Sequence, residues 1–325
     1  MGCRGSFVIR ENGINTYLYD RHFGAGIMPD IFYGVDSTLD MFSRAREDET
    51  ILDEAWGEGG VIVDLDAKVM IFWGGDVLFD NVPLIPHLIS FMETFTWQGW
   101  DVRHAQWGML SMGKYLDLPE FSPSVTYQKP SKESREYHLG WWIESDRSSA
   151  EFNDEEATVI SYKTSDGDIL NYTTSVESES TLTLGEDLLQ ILKERKTTPL
   201  AHQRDVYDCL YIDEQNKTIH VFWGYPSSFD PLSYQLRYWS DWQVKWIDEG
   251  YVGHLKLIDY EQNDLLFSKE EAANGVVKIV KEPIERYLSR LKQKSEPDHA
   301  KAILHWENQL IFLEKLKQEW LEKTK

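Results

Sequence analysis

"KVMIFWGGDVLFD" at residues 68–80 and "KTIHVFWGYPSSFD" at residues 217–230 are nearly one phrase written twice. In each, a lysine leads into a short apolar run, then Trp-Gly, a loop and Phe-Asp. The run is almost continuously apolar, as in a strand whose sheet is covered on both faces. With the residues before it, "VIVDLDAKVMIFW" and "CLYIDEQNKTIHVFW" each read as apolar run, polar turn, apolar run, which is a hairpin. Asp230 before Pro231 has the form of a helix N-cap followed by proline at the first helical position. Asp80 and Asn81 ahead of Pro83 match it. Helices are predicted after both, on Leu84, Leu88, Phe91 and Phe95 in one copy and on Leu232, Leu236 and Trp239 in the other.

The correspondence runs further in both directions. "WQGWDVRH" at residues 97–104 matches "WSDWQVKW" at 239–246, Gly108 matches Gly250, and the two phrases set Trp73 over Trp223. Upstream, Asn12-Gly13 and Asp166-Gly167 each sit between β-prone runs and favour the primed turns of tight hairpins. A helical stretch follows each, "STLDMFSRA" and "LGEDLLQILKERK". The unit is therefore hairpin, helix, hairpin, helix, strand, present twice. Its period exceeds the roughly 20–50 residues of a solenoid repeat. The expected fold class is α+β, with two duplicated mixed-sheet lobes, at residues 1–116 and 158–265, related by a pseudo-twofold axis. A linker and acidic connection, 117–157, joins them, and a C-terminal helical segment, 266–325, follows. That segment reads as a helical pair, "EPIERYLSRLKQK" and a second helix after Pro297. Ile303, Trp306, Leu310, Leu313 and Trp320 form an apolar stripe on the second helix. The stripe is expected to pack on the lobes, with a homodimer interface as its other use.

Composition narrows the partners. A chain of 325 residues, 42% apolar and 13% aromatic, can bury sizeable cores. Its formal net charge of -22 repels nucleic acid and anionic membrane and attracts basic proteins. Residues 281–325 hold ten basic against eight acidic side chains, so the acid belongs to the lobes. Cys3 and Cys209 alone cannot build a disulfide framework or a multi-cysteine metal site. No apolar run approaches the roughly 18 residues of a membrane span, and no secretory pattern opens the chain, so a cytoplasmic location is expected. "MGCRGS" fits a lipidation pattern at Gly2 and Cys3. It is not favoured, because a β-prone segment begins at once and the acidic chain opposes an anionic leaflet.

The chemical motifs are weak. "VIVDLDAKV" resembles the first motif of haloacid-dehalogenase-type phosphatases, with Asp64 and Asp66 in the positions of the paired aspartates. The Gly-Thr of that motif is replaced by Ala67-Lys68, and the second copy reads "YIDEQNKTI", an ordinary polar turn. Both aspartates are therefore expected to shape a turn. "SMGK" at residues 111–114 has the Ser-x-x-Lys spacing of penicillin-recognising enzymes without their other motifs. Glu177 and Glu179 would share one face of a strand, as a solvated acidic face. The nine histidines are scattered, no metal or cofactor is expected, and His220 reads as a core histidine.

What remains is charge and tryptophan. The expectation is a non-catalytic acidic binding protein, of the inhibitor or immunity type, engaging a basic protein partner. Glu47, Asp48, Glu49, Asp154, Glu155 and Glu156 are the candidate contact residues, from the densest acidic runs. Trp100 and Trp242, after helix-ending turns, are the tryptophans expected to be exposed for a partner, the others being core. The alternative is an enzyme or small-ligand binder with a Trp-lined cleft between the lobes.

Overall fold

The computed structural model describes residues 4–323 apart from 53–56, 75–77, 79–80, 119–130, 132–136, 138, 141, 143–156, 225–230, 248, 262 and 295–298. The chain divides into two compact units, residues 1–121 with 268–325, and residues 122–267.

In the first unit, β1 (Gly5–Glu11) and β2 (Ile14–Asp20) form an antiparallel hairpin. Its tight turn places Asn12 and Gly13 both at positive φ, 53° and 73°, as the Asn-Gly pair predicts. Two short helices follow, α1 (Met28–Phe32) and α2 (Val35–Phe42), then a three-residue strand β3 (Arg46–Asp48). β4 (Gly59–Asp64) and β5 (Val69–Gly74) are the predicted second hairpin, and every residue of both is buried. α3 (Ile85–Phe95), β6 (Asp101–His104) and α4 (Gly108–Tyr115) follow. The sheet order is β3-β2-β1-β4-β5-β6, with β1–β4 and β5–β6 parallel and the other pairs antiparallel. One face packs on the helices preceding β6, where the Phe7 and Phe42 rings lie 5.1 Å apart. On the other, Val8, Ile62, Ile71 and Trp73 form a cluster with Met109 and Met112 of α4.

The second unit repeats this design. Its strands are β7 (Ala157–Lys163), β8 (Ile169–Thr174), β9 (Val206–Asp213), β10 (Thr218–Phe222) and β11 (Gln243–Trp246). Their order is β11-β10-β9-β7-β8, again with the first and third strands parallel, the fourth and fifth parallel, and two antiparallel hairpins. The helices α5 (Ser178–Leu182), α6 (Asp187–Glu194), α7 (Pro231–Tyr238) and α8 (Gly250–Leu257) stand where α1 to α4 stand in the first sequence of elements. The fold is α+β with two duplicated mixed sheets. Among the strands, only β3 lacks a counterpart in the described residues.

The repeat is accurate at the level of single bonds. The amide of Val102 donates to the Glu93 side chain at 3.1 Å, and that of Val244 to the Gln235 side chain at 3.1 Å. Asp64 accepts from the Ala67 amide at 2.8 Å, and Asp213 from the Asn216 amide at 3.0 Å. Arg10 pairs with Asp64 and Lys163 with Asp213. One correspondence read from the sequence is out of step. Val69 pairs with Asp101 and Thr218 with Gln243, which sets Trp73 over Phe222, not over Trp223. The second phrase has one more residue between its lysine and its tryptophan, and a one-residue slip in a strand moves a side chain to the other face. Trp73 accordingly lies against Gly108 and Phe222 against Gly250, while Trp223 packs on Tyr234 of α7 at 5.3 Å.

The C-terminal pair comprises α9 (Lys269–Lys294) and α10 (His299–Lys323). Lys269 Nζ donates to the Leu321 carbonyl at 2.6 Å and Lys292 pairs with Glu307 at 2.7 Å, so the helices are antiparallel. α9 begins well before "EPIERYLSRLKQK" and carries Pro283 inside it. Its Gly275 serves close approach, since a Cβ there would stand 2.5 Å from a Leu84 methyl group. The stripe on α10 is only partly core. Leu313 and Trp320 are buried, whereas Ile303, Trp306 and Leu310 are half-buried; Leu316, outside the predicted stripe, is buried as well. Near its start α10 meets α9, through Lys292–Glu307 and the Tyr287–Trp306 rings at 6.3 Å, and one neighbouring helix covers only one side.

Candidate functional site

The residues singled out by motif prove to hold the fold. Asp64 accepts the Tyr115 hydroxyl at 2.7 Å besides the Ala67 amide. Asp66 accepts the Asn12 and Gly13 amides at 2.8 Å each, locking the first hairpin turn to the second, and these bonds lower its pKa. Ser111 accepts the Trp107 amide at 3.0 Å in the first turn of α4. Glu177 and Glu179 do not lie in a strand. They flank the start of α5, where Glu179 accepts the Tyr234 hydroxyl at 2.7 Å. His220 is half-buried on β10 near Tyr211, and burial lowers its pKa.

The second unit holds a buried polar layer with no signature in the sequence. Where the first unit places Val8, Gly60, Ile62 and Met112 between sheet and helix, strand register and helix position place Ser161, Cys209, Tyr211 and His254 in the second. Ser161 Oγ donates to Asn171 Oδ1 at 2.7 Å and meets His254 Nε2 at 2.8 Å. His254 Nδ1 has no partner among the described residues, and burial lowers the imidazole pKa to about 3. Burial pushes the Cys209 thiol well above its usual range, so it is a thiol and not a thiolate. Ser161 and His254 have the spacing of a nucleophile and its base, but each is 0% exposed. Nearby, Asp208 accepts the Ser178 amide at 2.8 Å and the Gly224 amide at 2.8 Å, capping α5 from the sheet. Burial raises its carboxyl to about 6.

The tryptophans are mostly core. Trp73, Trp97, Trp223, Trp239 and Trp242 are buried. The expected exposure fails for Trp242, whose indole N–H donates to Glu186 Oε1 at 2.7 Å while its ring lies edge-on to Trp239. Trp100 is half-buried in the same relation to Trp97. The turn after each helix folds the second indole back onto the first.

The sheet edge at β3 concentrates the charge. Glu47, Asp48 and Glu49 are all exposed there, and Glu47 and Glu49 make no ion pair among the described residues. Asp154, Glu155 and Glu156 lie outside the described residues. Beside the acidic residues, where β2 ends and β3 begins, is a pocket of about 500 Å³ of the opposite sign. Arg4, Arg21, Arg44 and Arg46 line it, with His22 and Tyr19, against Asp20 as the one lining carboxylate. The Arg46 guanidinium stacks over the Tyr19 ring, 4.4 Å from its centroid, and Arg44 is tied to Asp40 at 2.5 Å. This basic cluster went unread in the sequence, although "DRH" and "SRARED" place its cations next to the ends of two strands.

Among the described residues, no group of three or more His, Cys, Asp or Glu is placed to hold a metal ion, and no helix is long and apolar enough to cross a membrane. Comparison with protein-family models, curated proteins and solved structures finds no match.

Proposed function

We propose that this chain is a non-catalytic, cytoplasmic binding protein of the inhibitor or immunity type. Its basic protein partner docks along the β3 edge of the first sheet. The observation that carries the reading is the exposure of Glu47 and Asp48 on an edge strand and of Glu49 directly after it, within a chain of net charge -22. An edge strand offers unpaired backbone groups as a template for another chain. Three consecutive acidic residues, two on it and one just past its end, repel a second copy of this protein and admit a cationic segment. Charge of this sign steers a basic partner over a screening length of about 8–10 Å at moderate salt.

The test is capture from the native lysate at low and at moderate salt, followed by association kinetics of the captured protein. Reversing Glu47, Asp48 and Glu49 to lysine should slow association at least about tenfold at low salt and change dissociation less. A partner that binds the reversed protein equally fast would remove β3 as the docking edge.

A further inference from the structure

We propose that the arginine-lined pocket at the start of β3 binds the phosphate group of a small ligand. The inference is independent of the docking edge proposed above. It begins from an imbalance. The chain carries 55 acidic side chains against 33 basic ones, so carboxylates abound to neutralise an arginine. Yet four guanidiniums line one pocket with a single carboxylate, Asp20, among its lining residues. Of the four, Arg44 is already paired with Asp40, so the charge an anion would meet is carried by Arg21 and Arg46. Arg21 and Arg46 both line the pocket and have no ion-pair partner among the described residues.

The cations are also pre-positioned. Stacking on Tyr19 fixes the plane of the Arg46 guanidinium and leaves its N–H edges available. The Asp20 carboxylate accepts the His22 amide at 2.6 Å, a turn that carries Arg21 past the end of β2. Arg4 is anchored at the head of β1, where its amide donates to Glu58 Oε2 at 2.7 Å and its carbonyl accepts the Glu58 amide at 2.8 Å. Two guanidiniums lining one space suit the several oxygens of a phosphate, which accepts paired N–H bonds. The volume falls within the roughly 300–1,000 Å³ of small-molecule sites.

The experiment is calorimetric titration of the full chain with pyrophosphate, and separately with citrate, at low salt. Pyrophosphate should bind saturably, and Arg46→Ala and Arg21→Ala should each weaken it about tenfold, the loss of one charge-assisted contact. Arg46→Lys keeps the charge but not the stacked fork, and should weaken binding nearly as much as Arg46→Ala. Arg103→Ala is the control, because Arg103 lies on β6 at the opposite edge of the sheet and is paired with Asp101 at 2.5 Å. It should leave binding unchanged. All three positions are exposed, and thermal melts of each variant would register any loss of folding. The proposal is overturned if pyrophosphate does not saturate at millimolar concentration, if Arg103→Ala weakens binding as much as Arg46→Ala, or if citrate binds as tightly as pyrophosphate.

Discussion

Trp97 reaches across the first unit to the backbone of Ile31, its indole N–H donating to that carbonyl at 2.8 Å. Trp239 does the same to Leu182, also at 2.8 Å. In each unit one buried indole ties the turn before the last strand to the first short helix of its unit. Replacing either tryptophan with phenylalanine keeps most of the ring volume and leaves a buried carbonyl without its donor. Each change should cost about 1–3 kcal/mol. Urea unfolding measures it, and a cost below about 0.5 kcal/mol at both positions would mean the bond is not structural.

Gly108 and Gly250 open equivalent helices with φ of 53° and 56°. An alanine at either is strained by about 1–2 kcal/mol in this left-handed region. Only at Gly108 does the new methyl also collide, lying 2.8 Å from the Trp73 ring; at Gly250 the nearest Phe222 atom is 3.4 Å away. Gly108→Ala should therefore be the more destabilising by about 1–3 kcal/mol, the cost of overpacking. Equal losses would contradict the register that places Trp73 and Phe222 at equivalent positions.

That register shows where sequence reading reached and where it stopped. Both hairpins, the helices after them and the duplication were legible, because apolar periodicity and turn residues act over a few neighbours. The phase of the second phrase was not. Similar letters suggested Trp73 over Trp223, but backbone pairing is decided by the partner strand, Asp101 or Gln243, which lies far along the chain. The first half of α9 also went unread: the helix begins at Lys269, ahead of "EPIERYLSRLKQK", and within it Gly275 admits Leu84. The acidic residues at β3 could be named from composition, but the arginine pocket needed two strand ends brought together. The Ser161–His254 contact, between residues 93 positions apart, left no local trace.

The C-terminal helix yields a contrast between near neighbours. Leu313 is 0% exposed and Ile311 is 71% exposed. Leu313→Ala should cost about 2–5 kcal/mol through lost burial and a residual cavity. Ile311→Ala should change stability by less than about 0.5 kcal/mol. Sedimentation of the Ile311 variant adds the second reading. If the exposed side of α10 forms a homodimer, the variant should shift towards monomer with its unfolding free energy per chain otherwise unchanged.

His254 sets the expected acid sensitivity of the second unit. Its pKa falls from an ordinary 6.5 to about 3 because the imidazole is buried, so the folded chain holds it neutral. Above pH 6.5 it is neutral folded or unfolded and contributes no pH dependence. Below that, the unfolded chain takes up the proton and the folded chain does not, so stability falls as pH falls towards 3. At pH 5 the loss amounts to about 2 kcal/mol. Asp208 works in the opposite sense. Its carboxyl is raised to about 6, so the folded chain binds a proton more readily than the unfolded one, and acid between pH 6 and 3.8 favours folding. The two are separated by substitution. His254→Met installs the residue that the first unit carries at this position, Met112, and leaves Ser161 its bond to Asn171. The variant should match the parent at pH 7 within about 1 kcal/mol and exceed it at pH 5, with Asp208 common to both. Urea midpoints at the two pH values provide the measurement. A variant that loses as much stability as the parent between pH 7 and 5 would show that His254 is not the group that charges on unfolding.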